Sequence, residues 1–222
     1  MTFTGFLSRT QAGQLLASQV AKLHLDKPVV LALPRGGVPV AIEVARALNA
    51  PLDLLLVRKI GVPWQPELAA AAIVDGERPE LVMNEGVMSV LGLSRSDIEA
   101  TVTKEIAEIE RRRKLYLKGR IPVSIAGHVA IVVDDGIATG TTVRAALQAL
   151  RRRNPSRLVL AVPVAPRDTI AELRFYVDDL ICLKQPDPFN AIGVFYRDFH
   201  QISDEEVIEM LAAAQTAKQM RN

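Results

Sequence analysis

Apolar and polar positions along this chain repeat with two periods, and the switches between them mark out its elements. Leu15, Leu16, Val20 and Leu23 fall on one face at helical spacing, which predicts a helix over about 9–23. Val29–Leu33 is a short continuous apolar run, read as a buried strand, and residues 37–48 follow as a helix. A second strand is predicted over 52–59. The two prolines and Trp64 within Gly61–Pro66 then read as a loop. Leu68–Val74 is an alanine-rich run that fits helix or strand, and Leu81–Asn84 is a short companion segment. Ile98, Val102, Ile106 and Ile109 form the stripe of a long helix over about 96–117, with Gly119 as its stop. Strands follow near 129–133, 157–164 and 177–183, with helices after the first and near 167–175. Ser203-Asp204-Glu205-Glu206 is a capping box that opens a last helix running to about 217. This β–α alternation predicts an α/β fold with a mainly parallel sheet flanked by helices. No internal repeat or low-complexity linker divides it, so residues 1–222 read as a single domain.

Candidate chemistry concentrates where the strand Val129–Val133 ends in Asp134-Asp135. The next residues, Gly136-Ile137-Ala138-Thr139-Gly140-Thr141-Thr142, are mostly small or hydroxylic and lead into an amphipathic helix. Free N–H groups at such a helix start, with threonine hydroxyls and the helix dipole, suit a phosphate. Carboxylates one step upstream suit vicinal hydroxyls or a hydrated divalent ion on the same ligand. A phosphorylated ribose has both features. No lysine follows the glycines, so this is not a Walker A loop, and the G-x-G-x-x-G dinucleotide fingerprint is missing. An ordinary strand–turn–helix connection would explain the polar turn but has no need of the acidic pair.

The segment resembles the phosphoribosyl-pyrophosphate (PRPP) motif of type I phosphoribosyltransferases: apolar strand, acidic pair, short spacer, Thr-Gly-Thr-Thr. Gly136 stands where many members carry a bulkier apolar residue. Two earlier segments resemble that family in the same order. Leu33-Pro34-Arg35-Gly36-Gly37 is similar to its pyrophosphate loop, which often contains a non-proline cis peptide; read alone, it is a plain glycine turn. Arg58-Lys59, in R-K-x-G-x-P-x-x-P-E-L-A, is similar to the basic pair that ends the second core strand in several members. Taken without the resemblance, that pair is a solvated strand end.

The resemblance implies a type I phosphoribosyltransferase fold, with a core of about 28–183 and a hood from 1–27, part of 61–127, and 184–222. By its position in that fold, the alanine run should be a strand. The implied activity is Mg²⁺-dependent transfer of phosphoribose from PRPP to a nitrogenous, base-like acceptor, with release of pyrophosphate. Asp134, Asp135, Arg35 and Lys59 take the catalytic roles on this reading. Gly36, Gly37, Arg58, Ala138, Thr139, Gly140, Thr141 and Thr142 would bind PRPP. Mg²⁺ would arrive with PRPP, with Asp134 and Asp135 as candidate ligands. Phe189, Phe195, Tyr196, Arg197 and Asp198 are the candidate acceptor site, since aromatics could stack on a base and Arg197-Asp198 could pair with its edge. The same aromatics could equally dock the C-terminal helix. These features resemble a bacterial branch whose acceptor is undefined. A non-catalytic PRPP or nucleotide sensor on the same fold is the alternative, and a hydrolase of phosphorylated ribose is a third.

Composition narrows the partners. The chain is 49% hydrophobic and 23% charged, with a formal net charge of +2 and pI near 8.8, which fits a packed globule. Basic runs at Arg111-Arg112-Arg113-Lys114 and Arg151-Arg152-Arg153 lie late in predicted helices, where cations oppose the dipole. Tyr116 is their only aromatic neighbour, so nucleic acid is not the expected partner. The single cysteine, Cys182, lies in an apolar run and reads as an inert thiol, and three histidines are too scattered for a metal cluster. No apolar run reaches the roughly 18–20 residues of a membrane span, and the first residues lack a signal-peptide pattern. A cytoplasmic enzyme acting on small molecules is expected, with homo-oligomerisation left open.

Overall fold

A computed structural model describes residues 4–76 and 79–219 of the chain. Its strands are β1 (Pro28–Ala32), β2 (Leu52–Leu54), β3 (Val57–Val62), β4 (Gln65–Val74), β5 (Glu80–Met83), β6 (Val129–Val133), β7 (Arg157–Val164) and β8 (Asp179–Lys184). Its helices are α1 (Arg9–Val20), α2 (Gly37–Ala47), α3 (Glu85–Val90), α4 (Arg95–Leu117), α5 (Thr141–Arg152), α6 (Arg167–Leu173) and α7 (Asp204–Gln219).

The main sheet is parallel throughout, in the order β2-β1-β6-β7-β8. Its strands are apolar on both faces because helices cover both. Val30, Ala32, Ile131, Val133, Val159 and Ala161 pack into the cluster that holds α1, α2 and α7. Val29, Leu31, Ala130, Val132, Leu158, Leu160 and Val162 pack into the cluster of α5 and α6. From β1 the chain moves outward to β2 and later returns to the other side of β1 as β6. The carboxyl ends of β1 and β6 therefore flank a switch point, where loops diverge and leave a crevice.

The apolar run expected as one strand over 52–59 is broken. Only Leu52–Leu54 pairs with β1; the amide of Leu55 still donates to Ala32 O (2.9 Å). Leu56 O then accepts from Asp75, and Arg58-Lys59 begin a separate antiparallel sheet, β3-β4-β5. The alanine run is the central strand of that sheet. Its small side chains let it be enclosed from both sides, with Ala71 and Ile73 in one core cluster and Ala72 and Val74 in the other. The loop expected at 61–66 is a hairpin with a bulge at Gly61, and Trp64 is exposed at its turn. Asn84 caps the unanticipated α3 through the amide of Val87 (3.4 Å).

Most arginines of the basic runs are ion-paired, and Arg111, Arg151 and Arg152 are also exposed to solvent. Arg111 and Arg112 share Glu108 (2.8 and 2.7 Å), and their hydrogen bonds hold its carboxyl down at about 2. Arg113 meets Asp75 at 2.6 Å, Arg151 meets Asp178 at 2.9 Å, and Arg152 meets Glu80. No described helix is long and apolar enough to cross a membrane. Cys182 is half-buried, donates to Lys184 O (3.1 Å), and is pushed up to about 11 by that burial, which suppresses its thiolate.

Candidate active site

Two loops meet at the carboxyl ends of β1 and β6. In the first, the Pro34–Arg35 peptide is cis, as the resemblance implies, and the amide of Gly37 donates to Leu33 O (3.0 Å) to start α2. The two glycines are needed for close approach rather than for unusual dihedrals, since Gly36 has an ordinary helical φ of −60°. A Cβ on Gly36 would lie 2.1 Å from Asp135 Oδ2, and one on Gly37 would lie 2.7 Å from Val133 O.

The second loop begins with the acidic pair. Asp135 donates its amide to Asp134 Oδ1 (2.8 Å), and Ile137 donates to Val164 O (2.9 Å), which fixes the turn to β7. Gly136, the departure from the family pattern, has a packing reason. A Cβ there would meet Ile192 Cγ2 at 2.6 Å and Val164 Cγ1 at 3.0 Å. Gly140 takes φ +70°, and Arg144 donates to its carbonyl (2.8 Å) as α5 begins. Among the described residues, no hydrogen bond uses the amides of 138–142. Ala138, Thr139 and Thr142 are exposed, and the hydroxyls of Thr139 and Thr141 stand 3.5 Å apart. A row of unpaired donors at a helix start is an anion cradle.

Asp135 is buried and held from three sides. Arg9 of α1 donates through Nε to Asp135 Oδ2 (2.7 Å), Gly36 lies against the same carboxylate, and Tyr196 Oη donates to Asp135 O (2.5 Å). The sequence reading missed Arg9, although one signal was available. A cation in the first turn of a helix opposes the dipole and calls for a partner. Asp134 is half-buried, and its carboxyl is raised well above the usual carboxylate range, first by desolvation and then by the charge of Asp135. Two acids beside one buried cation leave an excess negative charge that favours a proton, a metal ion or hydroxyl donors.

Arg35 points to the same opening, 3.5 Å from Asp204 Oδ1 at the start of α7. Asp204 also accepts from Tyr116 Oη (2.5 Å), whose phenol is pushed up to about 12 by burial and that bond. Arg9, Pro34, Arg35, Gly36, Asp134 and Asp135 line one side of a depression of about 390 Å³, with Phe199, His200, Gln201 and Ile202 on the other. A larger cavity of about 510 Å³ lies elsewhere, beside Asp53, Asp75 and Arg113. Its charges are satisfied locally: Asp75 pairs with Arg113, and Asp53 accepts the amides of Leu54 and Val123.

Several expected site residues are placed differently. Arg58 donates to Glu105 Oε2 of α4 (2.5 Å), and Lys59 stands opposite Ala72 on β3; neither lines the depression. The basic pair left the core sheet with β3, which explains the displacement. The tail aromatics are mostly used in packing. Phe189 stacks on Phe195 (5.6 Å), and Tyr196 lies between Phe6 (5.3 Å) and Phe199 (5.1 Å). Their backbone pairs with the amino-terminal segment, through Phe6 N–H to Phe195 O (2.7 Å) and Arg197 N–H to Phe6 O (2.8 Å). They therefore pack against residues 6–12 and Val164, not against the C-terminal helix. Arg197 is exposed, and Asp198 holds His200 Nδ1 at 3.0 Å. The tail segment that faces the opening is 199–202, just past the predicted residues.

Among the described residues that line the opening, the acidic ones are Asp134 and Asp135, and among the described residues no cluster of three or more His, Cys, Asp or Glu could hold a metal. That donor set suits a hydrated hard cation completed by a ligand's own oxygens, not a metal caged by the protein.

The phosphoribosyl transferase domain family matches residues 7–200. A Mycobacterium tuberculosis protein named "Putative phosphoribosyl transferase" is 46% identical over 209 residues, which is 94% of this chain and 47% of that protein. The chain thus spans about half the length of the curated relatives it matches. The crystal structure of TT1426 from Thermus thermophilus superposes with a TM-score of 0.84 at 38% identity, covering 95% of this chain and 99% of that one. The chain belongs to the phosphoribosyl transferase family.

Proposed function

We propose that this chain binds PRPP and transfers its phosphoribosyl group to a nitrogenous, base-like acceptor, releasing pyrophosphate. The observation that carries this reading is the juxtaposition in one turn of an acidic pair with a row of internally unpaired amides at 138–142. The amide row and the Thr139, Thr141 and Thr142 hydroxyls would hold the 5-phosphate, so that binding energy remote from C1 fixes the reacting geometry. Asp134 and Asp135 would hold the ribose hydroxyls and support positive charge as the C1–O bond to pyrophosphate breaks. The C1–N bond to the acceptor forms in its place, and the acceptor nitrogen gives up its proton. Arg35 and the 35–37 backbone would oppose the charge on the departing pyrophosphate. Mg²⁺, bound with the diphosphate and the acidic pair, would supply further neutralisation of that leaving group. Arg58 and Lys59 have no role in this version, because both lie on the β3–β4 sheet away from the opening.

A panel of purine, pyrimidine and other nitrogenous acceptors, incubated with PRPP and Mg²⁺ and scored by pyrophosphate release, tests the reading. Release should appear with a matching acceptor and stop when Mg²⁺ is chelated. Release of ribose 5-phosphate without any acceptor would identify a hydrolase instead.

A further inference from the structure

Among the described residues that line the opening, Arg9 is the buried cation, and nothing in the transfer chemistry proposed above uses it. Its side chain is 9% exposed, an enclosure that arginine tolerates only when its donors are matched. It joins two segments of the chain, the acidic turn and residues 199–200. Nε donates to Asp135 Oδ2 (2.7 Å), Nη1 donates to His200 O (2.9 Å), and the guanidinium lies 3.9 Å from the centre of the Phe199 ring. On its far side the Asp135 carboxylate rests on Gly36, so closely that a Cβ there would lie 2.1 Å from Oδ2. Oδ2 is therefore confined between Arg9 and the 35–37 loop.

We propose that Arg9 is a positioning residue: it holds the Asp135 carboxylate in the orientation that receives a ribose hydroxyl, and it ties that orientation to the 199–200 segment across the opening. The proposal rests on the ribose-phosphate reading of the site. A planar fork with two matched acceptors fixes a carboxylate in a way that a point charge does not. Because Arg9 acts through Asp135, its influence falls on the ribose part of a ligand. The pyrophosphate part is served by Arg35 and the loop amides, which Arg9 does not contact through any hydrogen bond among the described residues.

The test titrates the full chain with Mg–PRPP and, separately, with Mg–pyrophosphate, in the wild type, Arg9→Gln and Arg9→Lys. Arg9→Gln should bind Mg–PRPP about tenfold more weakly, the usual loss when a residue supporting a ligating group is removed. Mg–pyrophosphate affinity should stay within about twofold, and Arg9→Lys should fall between, keeping the charge without the fork. Equal weakening toward both ligands would mean that Arg9 merely supports the fold, and unchanged or tighter Mg–PRPP binding would mean that it does not position Asp135. Either result overturns the proposal. Should Arg9→Gln fail to fold, the ratio of the two affinities in Arg9→Lys decides the matter. Wild-type protein that binds Mg–pyrophosphate but not Mg–PRPP would instead remove the ribose reading on which the proposal stands.

Discussion

Asp134→Asn should raise the melting temperature of the ligand-free protein while abolishing most of its affinity for Mg–PRPP. The stabilising half follows from the enclosure of Asp134 beside Asp135, which raises its carboxyl well above the usual range. Asparagine removes that unfavourable charge and keeps an oxygen to accept the amide of Asp135, which now meets Oδ1 at 2.8 Å. A gain of about 1 kcal/mol corresponds to roughly 2–4 °C for a chain of this size. The sign can be checked against pH. A carboxyl whose folded value is raised costs nothing below its unfolded value near 3.9, and its cost grows as pH rises through the folded value. The advantage of the asparagine variant should therefore vanish below about pH 4 and grow as pH rises toward the folded value. The functional half follows from the loss of one of the two carboxylates that would accept the ribose hydroxyls, where a hydrogen bond to a charged group is worth about 1.5–3 kcal/mol, roughly 10–100-fold in affinity. Thermal melts across pH, run beside Mg–PRPP titration, read both halves. A parallel fall of stability and binding would make Asp134 a structural residue.

Gly36→Ala should lower both stability and ligand affinity. The new Cβ would lie 2.1 Å from Asp135 Oδ2 and 2.5 Å from its Cγ. Asp135 has little freedom to yield, because Arg9 holds the same oxygen from the other side and Tyr196 holds its carbonyl. Overpacking of this kind costs about 1–3 kcal/mol. The displaced carboxylate should also lower Mg–PRPP affinity by at least about tenfold. Gly86→Ala is the matched control: its nearest neighbour would be 3.7 Å away, in the helix α3, so alanine there should be neutral or slightly stabilising. Denaturant melts and titrations of the two variants, side by side, separate the specific clash from a general intolerance of alanine. Equal behaviour would show that the Asp135–Gly36 contact is not constrained.

The main sheet and the acidic turn were legible in the sequence because each rests on local pattern. Val129–Val133 is apolar at every position, its carboxylates follow at once, and small hydroxylic residues begin a helix; contiguous chain carries all of this. The break after Leu54 was not legible. Leu54, Leu55 and Leu56 are equally apolar and equally buried, and only the departure of Leu56 to pair with Asp75 shows where one sheet ends. The placement of Arg58 and Lys59 followed from that missed break. Arg9 was hidden for a different reason: its partner lies 126 residues along the chain, and no local spacing reports such a contact. The tail aromatics were visible as a group, but whether their faces were free depended on Phe6 and the amino-terminal segment that covers them.

The proposed function requires one opening to grip a sugar by its phosphate and its hydroxyls together. Isothermal titration of the full chain with Mg–PRPP, compared with Mg–pyrophosphate and with ribose 5-phosphate, tests this most directly. PRPP should bind at least about tenfold tighter than either fragment, because the two sets of contacts act on one molecule. Affinity for PRPP no greater than for pyrophosphate alone would contradict it.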